Sequence, residues 1–529
     1  MNDFQQKIID IIAKYSPVWL VGGAVRDKLL GLESKDIDLV TYMKPENIDY
    51  ILRENGFHPQ QIGMRFKTLS LFEDGKRIDI VSTEDLGKDA SQRDFTINAI
   101  YVDPLTEKFY DPWEGSKHLK ERRLQTCGNA QDRFREDPVR ILRMIKFAVK
   151  LNMEIEEKTW EEAKNQVTLL ENISKERVSS ELAQILVLEN AEKAVRLLGE
   201  VAYWDVFVPE LARLKGIVQN QYHSLDVWEH TLAVFRGTPQ DLFLRLAGLF
   251  HDVGKWEVAS RECYLAGRLV FKNMQYRIED YQIIGTRGKR ELESKLKPLA
   301  GKHIKILGAN LDQFPETVQF KRILIGENAD RGLTFVENGK RHFLNHEKAS
   351  ARILEDILKR YTFSMFFKGA GQKRERSLLK LVENHMQATL TFMPEFRDEP
   401  SKRSFRHRAA ELVWNISWDG RDFELQNIYD FLVLWKADFD AGKVHSEEQN
   451  SLLEKIFKEV ITIALWQNEN LPKIEWGLCL SFASAEGLSG QSFGKFKDFI
   501  RTKLMKEMTV GLSEVFLKKA FAEFNNLDK

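Results

Sequence analysis

PVWLVGGAVRDKLLGLESKDIDLVTY, residues 17–42, decides how the rest of the chain is read. PVWLVGG is a short apolar run ending in two glycines, the pattern of a strand that closes on a turn. AVRDKLLG follows with helical spacing, and DIDLVTY reads as a second strand. Gly22 and Gly23 lack side chains, so backbone N–H groups there can approach a polyphosphate at the positive end of the following helix. Arg26 sits in the first turn of that helix, within reach of the same phosphates. Asp36 and Asp38 are two apart on a strand, so both carboxylates face one side while Ile37 and Leu39 face the core. Two carboxylates on one side repel unless a cation holds them, and Mg²⁺ takes one or two carboxylates together with substrate phosphates. A lone Gly-Gly or a lone D-x-D is common in ordinary turns and exposed strands. A strand, a Gly-Gly turn, a helix with arginine and then D-x-D together point to metal-assisted displacement at a phosphate. Asp79 in RIDIV reads either as a third carboxylate of that site or as a strand-edge acid.

Outward from this stretch, TLSLFED and RIDIVST read as two strands joined by a short turn, and TINAIYVDP as another strand. From about residue 131 the apolar residues fall at i, i+3, i+4 and i+7, so the chain is helical almost to its end. Residues 256–340 interrupt this with Gly, Lys and β-branched stretches, which predicts a small inserted subdomain with strands. The fold class is therefore an α/β head followed by a mostly α-helical body with one small α/β insertion.

A chain of 529 residues exceeds one ordinary core, so two to four domains are expected. No apolar run reaches the length of a membrane span, and MNDFQQKIIDIIAKY alternates at helical spacing, unlike a secretory leader. Cys127, Cys263 and Cys479 are far apart, which excludes a disulfide framework and suits a reducing cytoplasm. A net charge of zero argues against nonspecific coating of nucleic acid, while leaving local basic stretches as RNA contacts. Those stretches are KERR at 120–123, KGAGQKRER at 368–376, SKRSFRHR at 401–408 and RTKLMK at 501–506.

GGAVRD…DIDL, RDFTINAIYVDP, YDPWEGSKHLKERRL, FREDPVRILRMIKFA and ISKERVSSEL follow one another in order over residues 17–185. This succession resembles the motifs of class II tRNA nucleotidyltransferases and bacterial poly(A) polymerases, within the DNA polymerase beta-like superfamily. The resemblance implies a catalytic palm carrying Asp36 and Asp38 with Mg²⁺, CTP and ATP as substrates, and tRNA as the partner. By the same resemblance Arg93, Asp94 and Asn98 match the segment that contacts the nucleotide sugar. Asp137 and Arg140 match the pair that reads the incoming base through protein hydrogen bonds, and Arg143, Glu176 and Arg177 match positions that brace the pocket and hinge. A carboxylate accepts from an exocyclic amine and a guanidinium donates to ring and carbonyl acceptors, so such a pair can select cytosine and adenine. Asp137-Pro138 also has the pattern of a helix N-cap with proline at the first helical position. Two departures stand out. Gln92 replaces a second arginine common before RDFT, and only residues 82–92 separate RIDIV from RDFTINA, where CCA-adding members carry a longer loop. A shortened loop resembles CC-adding members, and IGMRFKTLSL, with Lys67 and Thr68, has a flavour of the poly(A) polymerase signature.

A second constellation lies in the helical body. LRLAGLFHDVGK sets His251 and Asp252 side by side at the end of an apolar helix, and His230 in VWEHTL precedes them. RHFLNHEKAS supplies His342 and His346 at helical i, i+4 spacing, and Asp438 follows in WKADFDAG. Imidazole and carboxylate together suit a transition metal such as Mn, Ni, Fe or Zn. The set resembles the HD phosphohydrolase superfamily, which implies a 2′,3′-cyclic phosphodiesterase, 2′-nucleotidase or phosphatase acting on RNA ends. His385 reads as structural or RNA-facing, and His118, His223 and His303 as partnerless surface residues.

The expected organisation is a nucleotidyltransferase head at 1–130 and a helical, nucleotide-selecting and RNA-binding neck at 131–215. An HD-type domain at 216–445 carries the insertion 256–340, and a helical, tRNA-contacting tail fills 446–529. The expected function is template-independent addition of CCA to the tRNA 3′ end in the cytoplasm. CC addition, poly(A) synthesis and an HD phosphohydrolase with an RNA-binding head are the alternatives.

Overall fold

The computed structural model describes residues 2–34, 36–61, 68–217, 225–258, 345–369, 371–392, 403–418, 422–442, 445–471, 474, 476–507 and 512–525, with strands between 264 and 343 described as backbone. The chain divides into two compact units, Met1–Phe207 and Val208–Lys529. The expected head and most of the expected neck thus lie within one unit, while residues 208–215 fall in the second.

The first unit is built on a seven-stranded sheet of β1 (Val18–Val21), β2 (Ile37–Thr41), β3 (Gln60–Gln61), β4 (Thr68–Glu73), β5 (Lys76–Ser82), β6 (Tyr101–Val102) and β7 (Phe109–Tyr110). Their order is β3-β4-β5-β2-β1-β6-β7. The alternation of a strand sends Leu20, Leu39 and Ile80 to one face, where Phe4, Ile8 and Ile12 of the helix Asp3–Ala13 complete a core. Val21 and Val40 turn to the other face, against Leu86, Ala90 and Tyr101. β4 and β5 form the expected hairpin, and its turn residues Asp74 and Gly75 take φ of 48° and 72°, as a two-residue type I′ turn requires.

TINAIYVDP departs from the strand reading. Thr96–Asn98 form a 3₁₀ turn and only Tyr101–Val102 are extended. The reason is a buttress from YDPWEGSKHL. The Asp111 carboxylate accepts from the backbone N–H of Gly115 at 2.7 Å and of Ser116 at 2.9 Å, capping the short helix Gly115–Lys120. That helix presses Gly115 onto the Thr96 carbonyl. His118, expected at the surface without a partner, is instead buried, with Nδ1 2.9 Å from Thr96 Oγ1 and Nε2 2.9 Å from Arg123 Nη2. Arg122 donates to the Leu151 carbonyl at 2.8 Å, so two arginines of the basic stretch KERR brace the fold.

Behind the sheet, Val139–Lys150 buries Ile141, Leu142, Met144 and Ile145, and packs on Lys175–Leu186. Its stripe of apolar residues follows the helical period, and the charged side chains fall between.

The second unit is largely helical. Val227–Gly237, Leu242–Phe250, His346–Arg360, Gly371–Phe392 and Leu425–Ala441 pack together, and Glu447–Asn470, Trp476–Ala485, Gly490–Glu507 and Glu514–Asn525 follow. Between the second and third of these lies a six-stranded antiparallel sheet of Tyr264–Lys272, Gln275–Ile284, His303–Ile304, Thr317–Leu324, Thr334–Glu337 and Lys340–Phe343. The edges differ from the expected 256–340. Trp256–Val258 belong to the helix Lys255–Val258, and the last strand reaches Phe343. Within KGAGQKRER, Arg374 donates to Asp430 at 2.8 Å and lies over the Phe243 ring, so this cation too is structural.

Gly115→Ala would drive a methyl group into the Thr96 carbonyl and Ile100. Overpacking of this kind costs about 1–3 kcal/mol, so urea unfolding should show that loss. An unchanged midpoint would contradict the buttress.

Candidate functional site

Register builds the head's site. β2 runs parallel to β5 with Asp38 opposite Asp79, and antiparallel to β1 with Asp38 opposite Val21. The three segments therefore bring two carboxylates to the end of β1, where the chain turns at Gly22. Gly22 has φ of 75°, and a Cβ there would lie 2.6 Å from Asp38 Oδ2. Glycine is required twice, for the backbone conformation and for the approach of the carboxylate. Burial raises the Asp38 carboxyl above its ordinary value of 3.8; Arg93 opposes this and Asp79 adds to it. A half-buried carboxylate beside a second one, under a turn too tight for a side chain, is a donor set that suits a hard divalent cation.

Asp36 departs from its expected place. It precedes β2, is exposed, and its Oδ1 accepts from the backbone N–H of Arg77 at 3.0 Å. Asp79 accepts from Arg77 Nε at 2.8 Å and from the Ser70 hydroxyl. The strand pair thus orients both outer carboxylates through one residue of β5.

Arg93 lies beside the glycine turn, its Nη1 3.5 Å from the Cβ position of Gly22. Its Nε donates to Asp89 at 2.9 Å and to the Tyr101 hydroxyl at 3.0 Å. Burial disfavours the charge, but Asp89 and Tyr101 raise the pKa and keep Arg93 cationic.

Behind these groups runs a buried chain of hydrogen bonds. Arg26 Nη1 donates to Asn98 Oδ1 at 2.7 Å, Asn98 Nδ2 to Asp94 Oδ1 at 3.0 Å, and Arg143 Nε to Asp94 Oδ2 at 2.8 Å. Arg26 and Arg143 both lie over the Phe147 ring, at 5.1 and 5.5 Å. Arg26, Asp94 and Asn98 are each buried. Arg26 was expected to reach phosphate, and Asp94 and Asn98 to contact a sugar; their buried polar atoms here serve one another and position the turn. Burial would raise the Asp94 pKa, but Arg143, Asn98 and the Phe95 N–H outweigh it and hold it below 3.8.

Asp137 corrects the capping expectation. Pro138 holds the N-cap position of Val139–Lys150, with no side-chain cap, and Asp137 ends the preceding helix. Its two carboxylate oxygens accept from Arg177 Nη2 at 3.0 and 2.8 Å. Asp137 and Arg140 therefore do not share a helix face. Arg140 donates to the carbonyls of Gln92 at 2.6 Å and Arg133 at 3.1 Å, and to Glu136 at 3.2 Å. Glu176 is exposed in the first turn of Lys175–Leu186.

In the second unit, six side chains converge from four helices and the turn after a fifth. His230 Nε2 is 2.9 Å from Asp438 Oδ1 and 3.7 Å from Asp252 Oδ2, and His251 Nε2 is 3.3 Å from Asp252 Oδ2. His346 Nε2 is 3.0 Å and His385 Nε2 3.5 Å from Asp252 Oδ1. Among the described residues, His230, His251 and Asp438 form one group able to hold an ion, and Asp252, His346 and His385 another. Sequence reasoning missed His385, since nothing local to LVENHMQAT distinguishes it; only the packing of Gly371–Phe392 on His346–Arg360 does. His342 does not share a helix with His346. It lies in the strand Lys340–Phe343, opposite Phe335, and its side chain is outside the described residues, as are His223 and the His303 side chain.

A strand–glycine turn–helix with paired carboxylates on adjacent strands fits a nucleotidyltransferase head, and likeness to known proteins agrees. Residues 18–84 and 72–125 match the poly A polymerase head domain, and residues 152–215 match the probable RNA and SrmB-binding site of polymerase A. The chain is 32% identical over 305 residues to a CCA-adding enzyme of Lactococcus lactis subsp. cremoris, spanning 53% of this chain and 72% of that one. Poly(A) polymerase I of Haemophilus influenzae is 29% identical over 242 residues, 40% of this chain and 53% of its own. A Thermotoga maritima CCA-adding enzyme, solved in complex with tRNA, aligns over 99% of this chain and 96% of its own with a TM-score of 0.53 at 18% identity, a likeness of fold. The chain belongs to the family of CCA-adding enzymes and bacterial poly(A) polymerases.

Asp94→Asn removes the charge that Arg143 neutralises, and should destabilise the first unit by about 1–3 kcal/mol at pH 7. Because the folded pKa is depressed, the native Asp94 contribution is present above 3.8 and fades as pH falls through the folded value. Unfolding curves of both proteins should therefore converge toward low pH. A gap that stays constant would exclude the ion pair as its source.

Proposed function

We propose that this chain adds CCA to the 3′ end of tRNA, taking CTP and ATP without a nucleic-acid template. The observation that carries the reading is the pairing of Asp38 with Asp79 beneath Gly22, on a chain of this family. Asp36, Asp38 and Asp79 are the residues that would hold Mg²⁺, which when bound activates the RNA 3′-hydroxyl and steadies the departing pyrophosphate. Arg93, held by Asp89 and Tyr101 beside the glycine turn, would contact the nucleotide in this reading. Arg177 fixes the Asp137 carboxylate, whose remaining lone pairs can accept from the exocyclic amine of cytosine or adenine. Uracil and guanine offer a carbonyl at the corresponding position and would be refused. Arg140, Arg143 and Glu176 frame this pocket.

The helical unit carries a second activity in this reading. His230, His251, Asp252, His346, His385 and Asp438 form an HD-type site for a transition metal, suited to hydrolysis of phosphate esters at RNA ends. Among the described residues no helix is long and apolar enough to cross a membrane. We place both activities in the cytoplasm, where the buried thiols Cys127 and Cys479 stay reduced.

Extension assays on tRNA lacking CCA, ending in CC and ending in CCA, with CTP and ATP alone and together, test the nucleotide program. Addition should end after a complete CCA. Arrest after CC would make this a CC-adding enzyme, and a long tail from ATP alone would make it a poly(A) polymerase.

A further inference from the structure

One residue of β5 ties the head's carboxylates together. The Arg77 backbone N–H donates to Asp36 Oδ1 at 3.0 Å, and its side-chain Nε donates to Asp79 Oδ1 at 2.8 Å. The Ser70 hydroxyl, buried on β4 opposite Asp79, donates to the same Asp79 Oδ1. Among the described residues, Oδ2 of each outer acid makes no hydrogen bond and is left for another partner. Asp38 feels the same guanidinium. Burial raises its carboxyl, and Arg77 joins Arg93 in opposing that rise.

The Arg77 side chain is held but not used up. The Phe72 ring lies 5.8 Å from its guanidinium carbon and steadies it. Among the described residues its two Nη groups make no hydrogen bond, and the side chain is 42% exposed. A bare divalent ion arriving at Asp79 must therefore share that carboxylate with a cation already bonded to it. An ion that arrives on a triphosphate brings phosphate oxygens, to which the Nη groups can donate. The first arrival is opposed by the Arg77 charge and the second is favoured by it.

We propose that Arg77 is an internal counter-ion of the head's carboxylates. It stands in for a cation while the nucleotide is away, and so makes divalent-ion binding depend on the triphosphate. The proposal rests on the reading of Asp36, Asp38 and Asp79 as metal-holding residues, and adds a positioning residue to them. A merely structural role makes the opposite forecast, because loosening two acids weakens their hold on an ion.

The test is a Mn²⁺ titration of the full chain without nucleotide, with free ion read by electron paramagnetic resonance. Each protein is compared with the same chain carrying Asp79→Asn, which subtracts every site outside the head, the histidine cluster included. Arg77→Met removes the charge and leaves the backbone N–H on Asp36. Its Asp79-dependent site should bind Mn²⁺ about tenfold more tightly than that of wild type, the scale of one charge a few ångströms from an ion near water. Arg77→Lys keeps the charge and should stay near the wild-type value. In the addition assay the KM for CTP should rise in Arg77→Met and recover in Arg77→Lys, with kcat changing less. Unchanged or weaker Mn²⁺ binding by Arg77→Met, with unchanged far-UV circular dichroism, overturns the counter-ion role. If Asp79→Asn removes no Mn²⁺ from any of these proteins, even with CTP present, the metal reading falls and the proposal with it. Should Arg77→Met fail to fold, Arg77→Gln carries the same test.

Discussion

The parallel pairing of β2 with β5 is the constraint on which the head depends. It sets Asp38 against Asp79, and the antiparallel pairing of β2 with β1 brings both to the chain's turn at Gly22. A slip of one residue would turn Asp38 toward the core and Leu39 toward solvent. The apolar sets on the two faces of the sheet, Leu20 with Leu39 and Val21 with Val40, exclude that slip by burial. The proposed catalytic geometry is thus held by the same alternation that folds the sheet. The like charges it brings together are tolerated because Arg77 and Arg93 lie beside them.

Much of this was legible because it is local. Two glycines between a strand and a helix, and acids at alternate positions of apolar strands, carry their geometry in their spacing. What was not legible depends on contacts between distant segments. Asp36 lies just outside its strand because Arg77, on another strand, takes its carboxylate. Asp137 leaves the capping role because Arg177 lies across from it, and Arg140 turns to Gln92. His118 looked solitary in sequence and is buried against Thr96 and Arg123. In the second unit, i, i+4 spacing suggested His342 with His346. A strand ends between them, and the partner is His385, on the next helix.

The two units solve one electrostatic problem with different donors. The head gathers carboxylates with arginines nearby, the oxygen donors that a hard ion favours. The helical unit gathers imidazoles around two carboxylates, the donor types that borderline ions favour. In the first, the supporting chain of Arg26, Asn98, Asp94 and Arg143 holds the glycine turn; in the second, backbone carbonyls orient the rings. Each site therefore owes its chemistry to groups one step removed from it.

The most direct measurement of the central claim is nucleotide addition by Asp38→Asn and Asp79→Asn, with tRNA binding measured in parallel. Both should lose addition while binding tRNA as the wild type does, since each removes one of two carboxylates that the register pairs. Wild-type turnover by Asp79→Asn would contradict the account, because the pairing of β2 with β5 would then build a fold and not a site.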